Sequence, residues 1–140
     1  MTHIVLGINL IHGPQNLQLV RNDQLESDLT EISVELNQGE RLLFCKERPV
    51  NGNSKMKCII LEGSQIDCLI LEVDEEGAFV IDHKGQNGYF KLDDCCLLSD
   101  EEGRLTDQHR LRFPCFDYSS GSEEEINSYE LDVSISSVFP

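Results

Sequence analysis

The alternation of apolar and polar side chains predicts short β-strands along most of the chain. Residues 3–10, 41–46, 56–62, 66–73, 78–82 and 89–92 form apolar or alternating runs, separated by Gly, Asn, Pro or acidic turn residues. The last four runs follow one another at intervals of about 8–12 residues, a spacing typical of an antiparallel meander. The sequence therefore predicts a mostly β fold, a small barrel or sandwich built on this meander.

One segment carries a helical pattern instead. Asp23 and Glu26 have the spacing of a capping box, in which two side chains bond the free amides at the start of a helix. Leu25, Leu29 and Ile32 then recur at helical intervals. We predict one short helix here, followed by a strand where residues 32–36 return to strict alternation.

The last third of the chain differs in composition. This change in composition divides the sequence into a β-rich globular domain, residues 1–98, and an acidic segment, residues 99–140. Within that segment, the Ser, Gly and Glu of residues 118–128 predict a linker. Apolar residues alternate over 129–138 and predict a final strand, with a loose tail as the alternative.

The chain is strongly acidic, with Lys+Arg 11 against Asp+Glu 26 and a formal net charge of -15. Nucleic acids and anionic lipid surfaces are bound by cationic patches, so we expect neither as a partner. A protein partner with a basic face fits the charge. Basic peptides, divalent cations and a merely solvated acidic surface remain alternatives.

No run approaches the roughly 18 apolar residues of a membrane-spanning helix. The first residues lack the basic region and cleavage site of a secretory signal. We therefore expect an intracellular protein, cytoplasmic or nuclear, without membrane contact.

The six cysteines do not have the spacing of a zinc site. Three of them, Cys45, Cys58 and Cys68, lie within apolar runs, where a thiol behaves as a small buried hydrophobe. We expect reduced cysteines, and we predict no metal and no cofactor because the phosphate-, dinucleotide- and calcium-binding motifs are absent as well.

One enzymatic alternative stays open. Cys95 or Cys96 could act as a nucleophile with His83, because a catalytic thiolate needs a cationic or basic neighbour. The neighbouring Asp93 and Asp94 oppose thiolate formation, so the sequence favours a protein that is not an enzyme.

Several polar residues are candidates for modification or partner binding. Ser99 and Ser122 each precede a run of acidic residues, a pattern that an acidophilic kinase recognises by charge. Tyr129 also stands among acidic residues, although its alternation with Leu131 and Val133 equally predicts a place in the core. The acidic residues predicted to contact a basic partner are Asp100, Glu101, Glu102, Glu123, Glu124 and Glu125.

Part of the chain resembles a known family. The run Asn-Gln-Gly-Glu-Arg-Leu-Leu-Phe at 37–44, Cys58 within a strand, the apolar residues 69–71 and Glu-Gly-Ala-Phe at 76–79 look like one half of a CABIT module. This is the all-β, cysteine-containing module of the thymocyte-selection adaptor and related signalling regulators. The resemblance covers roughly residues 36–93. It implies a non-enzymatic adaptor or regulator, with Cys58 matching the family's core cysteine. The family's module is about twice as long, and its members carry proline-rich SH3-binding segments that this chain lacks.

These observations predict a non-enzymatic protein-binding module or regulator that acts through an acidic β-domain surface, using its strand edges, the turn over 82–88 or the acidic C-terminal segment. A small acidic inhibitor, encoded by a virus or pathogen and occupying a basic groove of a target enzyme, is an alternative. The cysteine-dependent enzyme described above is the other.

Overall fold

The computed structural model of the chain describes residues 2–48, 57–64, 66–82, 90–97, 100–117 and 124–137. These residues form β-strands joined by turns and contain no helix, including none long and apolar enough to cross a membrane. The strands are β1 (His3–His12), β2 (Leu17–Arg21), β3 (Gln24–Leu29), β4 (Glu31–Asn37), β5 (Arg41–Cys45), β6 (Lys57–Ile60), β7 (Leu69–Asp74), β8 (Gly77–Ile81), β9 (Lys91–Leu92), β10 (Glu102–Leu105), β11 (Gln108–Asp117) and β12 (Glu124–Ser137).

The strands form two sheets that pack face to face. One has the order β4-β1-β12-β11-β9 and the other β10-β8-β7-β5-β6-β2-β3. All neighbouring strands are antiparallel except β5 and β6, which are parallel. One main core cluster contains side chains from both sheets, and the Phe44 and Phe113 rings join them at a centroid distance of 5.6 Å. The fold is a sandwich rather than a closed barrel, as the mostly β prediction allowed.

Alternation determines which side chains enter the core. In β4, Ile32, Val34 and Leu36 are buried while the residues between them are exposed. Their partners on β1 are likewise buried, as in the pair of Leu6 and Val34. Burial of one such side chain contributes roughly 1.5–3 kcal/mol, so a shift of register by one residue is strongly disfavoured.

The short helix predicted after residue 23 is wrong. Asn22 and Asp23 have φ values of 53° and 61°, which suit a two-residue hairpin turn, and Arg21 and Gln24 pair across it. The segment therefore continues as β3, antiparallel to β2. Leu25, assigned to a helical face by the sequence, is instead 48% exposed on this strand.

The sheet also departs from the expected meander. Of the four strands β6 to β9, only β7 and β8 are neighbours and form a hairpin. Strand β6 lies between β5 and β2, and β9 pairs with β11 in the other sheet. Strand spacing along the sequence does not specify these partners, because register and neighbour choice depend on contacts distant in sequence.

The C-terminal part of the chain contributes to both sheets. Strand β12 lies between β1 and β11 and begins at Glu124, within the range predicted as a linker. Its Tyr129, Leu131 and Val133 are buried. Residues after 98 therefore contribute to the same core as those before it.

Candidate interaction surface

The acidic residues singled out by the sequence lie in different parts of the fold. Asp100, Glu101 and Glu102 are exposed before and at the start of β10, and the Asp100 N–H donates to the Asp82 carbonyl at 3.0 Å. Glu124 and Glu125 pair with Asp117 and Phe116 on β11. Ser99, Ser122 and Glu123 lie outside the described residues.

A cation lies beside part of this acidic stretch. Arg104 forms a two-pronged hydrogen bond with Asp74 and is 3.4 Å from Glu76 and 3.5 Å from Glu102. Its guanidinium also covers the Phe79 ring, 4.9 Å from the centroid. Hydrogen bonds from Arg104 lower the pKa of Asp74 to about 2, so that carboxylate stays ionised. Arg104 thus offsets some of the charge near Glu102.

Tyr129 belongs to the core. Its side chain is fully buried, and its hydroxyl donates to the Glu62 carbonyl at 2.5 Å. Burial raises the pKa of this phenol above its ordinary range. Tyr129 thus occupies the core position that its alternation with Leu131 and Val133 predicted, and its phosphorylation stays a prediction.

The predicted cysteine nucleophile cannot be matched with its base here, because His83 lies outside the described residues. Cys95 and Cys96 are exposed next to β9. Within the described ranges, no three His, Cys, Asp or Glu side chains are grouped to hold a metal ion.

A different histidine is paired with a carboxylate. His109 Nδ1 lies 2.5 Å from Asp93 Oδ2, while Nε2 accepts the Thr106 N–H at 2.8 Å. Partial burial alone would raise the pKa of Asp93, but hydrogen bonds from the Arg110 amide and the His109 ring outweigh it and lower the pKa. Both ring nitrogens of His109 are therefore engaged, one by Asp93 after β9 and one by Thr106 in the turn between β10 and β11.

The edge of the five-stranded sheet at β4 is capped by side chains. Backbone groups that point away from β1 bond to residues from β2, from β6 and from the turn after β4. Arg21 donates to the Ser33 carbonyl at 3.2 Å, Lys57 donates to the Glu35 carbonyl at 2.8 Å, and Glu40 accepts the Asn37 N–H at 2.7 Å. These bonds occupy the Ser33 and Glu35 carbonyls and the Asn37 amide, three of the groups that an added strand would use.

The edge of the seven-stranded sheet at β3 is different. The two residues flanking a two-residue turn exchange both backbone hydrogen bonds, so the next residue, Leu25, points its N–H and C=O away from β2. Residues 24–28 are all exposed. Among the described residues, Leu25 and Ile11 are the large apolar side chains left exposed, at 48% and 49%. Strand β3 thus offers backbone groups and an apolar side chain at one edge.

The charge on this side of the sandwich is negative. Arg21 joins the two edges, since it bonds Glu26 at 3.0 Å as well as the β4 backbone. Asp28 on β3 and Glu31 and Glu35 on β4 are exposed. Lys57 is itself 3.7 Å from the Glu40 carboxylate, and Arg48 donates to the Asp23 carbonyl at 3.4 Å in the turn between β2 and β3. The carboxylates of these strands and turns still outnumber Arg21, Arg48 and Lys57, so the charge near the β3 edge is negative.

Sequence reasoning missed this edge because the helical spacing of Leu25, Leu29 and Ile32 predicted a helix where the structure has strand β3. The available signal was the Asn-Asp dipeptide, two residue types that tolerate positive φ, at the centre of the turn. Comparison with known proteins found no matching family model, no matching curated protein and no matching solved structure.

Proposed function

We propose that this chain is a non-catalytic protein-binding domain that receives an extended, basic segment of a partner protein along the β3 edge. The observation that carries the proposal is the contrast between the two edges on one side of the sandwich. Side chains cap the backbone of β4, whereas Leu25 on β3 turns its backbone groups outward. Strand addition uses such groups for affinity and the alternating side-chain positions for specificity.

The surrounding charge supports a basic partner. Carboxylates on β3 and β4 would attract Lys or Arg side chains and raise the association rate, and this effect weakens as salt screens it. Leu25 supplies an apolar contact in the middle of the edge. Its outer-face neighbour on β2 is the buried Val20, so an apolar partner side chain placed over Leu25 would extend an existing apolar surface.

The acidic residues 100–102 and 123–125 remain a second predicted contact region for the same partner. Arg104 lies near Glu102 as Arg21 lies near Glu26, so the outward-pointing backbone groups of Leu25, and not the charge, favour the β3 edge as the principal site.

The proposal is tested by capturing partners from a lysate on the immobilised full chain at low and high salt. The captured protein is then compared on two matched variants, Leu25→Ser and Ile11→Ser, whose original side chains are almost equally exposed. We expect a partner that dissociates at high salt, binds Ile11→Ser normally and binds Leu25→Ser at least several-fold more weakly. Hydrogen exchange of residues 24–29 should slow in the complex.

Equal binding to both variants would contradict the proposal. So would protection from exchange on another strand with β3 unchanged. Comparing the thermal unfolding of the two variants with that of the parent chain separates lost binding from lost folding.

A further inference from the structure

Three cysteines share a second apolar cluster on the outer face of the seven-stranded sheet. The cluster contains Val20, Cys45, Cys58 and Ile60, with Leu43 and Cys68 packed against it. Cys45 is 3% exposed and Cys58 is fully buried, whereas Cys68 is partly exposed. All the cysteines are thiols in this structure. The cluster lies apart from the main core between the sheets.

Strand register brings Cys45 and Cys68 together. Strands β5 and β7 are antiparallel, and Phe44 lies opposite Leu69. Beyond this pair the register shifts by one residue, because the Lys46 N–H donates to the Ile66 carbonyl at 2.9 Å and not to residue 67. Phe44 and Leu69 lie in the main core, whereas the adjacent residues Cys45 and Cys68 both belong to the outer-face cluster, which places them close together.

This placement suits a disulfide. Residues opposite each other in antiparallel strands have Cα atoms about 4.5–5.5 Å apart, within the roughly 4.4–6.8 Å that a disulfide spans. Cys58 lies opposite Leu43, two residues before Cys45 on the adjacent strand. Strand spacing then places its Cα about 8 Å from that of Cys45, which is too far for a disulfide without backbone movement. Strand β5 also separates β6, which contains Cys58, from β7, which follows Cys68, and two strand spacings of about 4.8 Å exceed the reach of a disulfide. The fold thus favours one pair of the three.

We propose that Cys45 and Cys68 form a dithiol–disulfide pair that exchanges with small-molecule disulfides. The partly exposed Cys68 thiolate attacks one sulfur of the small disulfide, which forms a mixed disulfide and releases one small thiolate. The Cys45 sulfur, as thiolate, then attacks the Cys68 sulfur and releases the second. The small disulfide gains two electrons and the two thiol protons, and the chain gains one S–S bond.

The test incubates the native full chain with oxidised glutathione, blocks remaining thiols and maps disulfides by mass spectrometry. Cleavage after Lys and Arg and then after Glu separates the three cysteines, with Cys45 in residues 42–46, Cys58 in 58–62 and Cys68 in 63–72. We expect residues 42–46 linked to 63–72 as the major product within this cluster. In Cys45→Ala, the glutathione adduct should accumulate on Cys68 because the resolving thiol is absent.

Two controls distinguish native geometry from chance collision. Cys58→Ser should leave the linked peptide unchanged. In urea, chain statistics favour the shorter loops that Cys58 forms with either neighbour, so the product distribution should shift toward those pairs. A native product dominated by Cys58, or thiols at Cys45 and Cys68 that remain unlinked at equilibrium with oxidised glutathione, would overturn the proposal.

Discussion

Replacing Tyr129 with Phe tests how the C-terminal strand is fixed in the core. The ring would remain packed opposite Phe113, so the change leaves no cavity. It removes only the hydroxyl of the fully buried Tyr129, which donates to the main-chain carbonyl of the exposed residue Glu62. The expected loss is therefore that of one partly buried hydrogen bond.

The magnitude follows from that geometry. A typical hydrogen bond contributes about 0.5–1.5 kcal/mol, and we expect a loss in this range at neutral pH because the acceptor residue Glu62 is exposed. For 140 residues the entropy of unfolding is about 0.3 kcal/mol per degree, so the melting temperature should fall by about 2–5 °C. Urea unfolding followed by circular dichroism measures the same difference at constant temperature.

The difference should also depend on pH. Burial raises the pKa of Tyr129 above 10, so this group stabilises the fold fully below pH 10. Above pH 10 the unfolded chain loses the phenol proton first, and the parent chain loses about 1 kcal/mol of stability between pH 10 and 11 that Tyr129→Phe does not lose. The difference in the free energy of unfolding between the parent chain and Tyr129→Phe should therefore decrease from pH 10 to 11. Other titrating groups affect both proteins alike.

Substitution at Glu62 provides the control. The hydroxyl bonds the main-chain carbonyl, so Tyr129→Phe should cost the same in a Glu62→Gln background. An unchanged melting temperature at neutral pH, or parallel pH dependence of the two proteins up to pH 11, would refute the reasoning.

Three further substitutions follow from local geometry. In Arg104→Gln the pKa of Asp74 should return from about 2 toward 3.8 in a carboxyl NMR titration, because Arg104 hydrogen bonds hold it down. A lowered pKa stabilises the fold above pH 3.8, and this stability is lost as pH falls through about 2, so the variant should lose that acid dependence. Gly13→Ala should destabilise by roughly 2–3 kcal/mol, since the added Cβ would lie 2.6 Å from Cδ1 of the buried Tyr129. Gly39→Ala has open space but a φ of +89°, so it should cost only about 1 kcal/mol, and the reverse order in urea midpoints would contradict this account.

The buried faces were predictable because side-chain alternation is a local property. Ile32, Val34 and Leu36 alternate with polar residues in the sequence, and the structure buries these three. The parallel pairing of β5 with β6 was not predictable, because the residues of the apolar runs 41–46 and 56–62 do not specify which strands pair or in which direction. The juxtaposition of Cys45 and Cys68 depends on the same nonlocal register.

The candidate interaction edge was hidden for a related reason. Leu25, Leu29 and Ile32 have helical spacing, but the structure divides them between two sheets. Ile32 enters the core from β4, Leu29 is partly buried and Leu25 faces outward. Helical spacing alone could not show whether these three side chains share one buried helix face or lie in three different surroundings.

Strand β3 adds little to the core that stabilises the rest of the fold. Its residues 24–28 are exposed, so the ordering of their backbones, at roughly 1–2 kcal/mol per residue, is offset mainly by pairing with β2 rather than by burial. Strand β4 instead buries alternate side chains and has its outer edge capped. Since Leu25 contributes little to the core, Leu25→Ser should leave the unfolding midpoint almost unchanged while it weakens partner binding. A large fall in stability in that variant would show that the edge serves the fold rather than a partner.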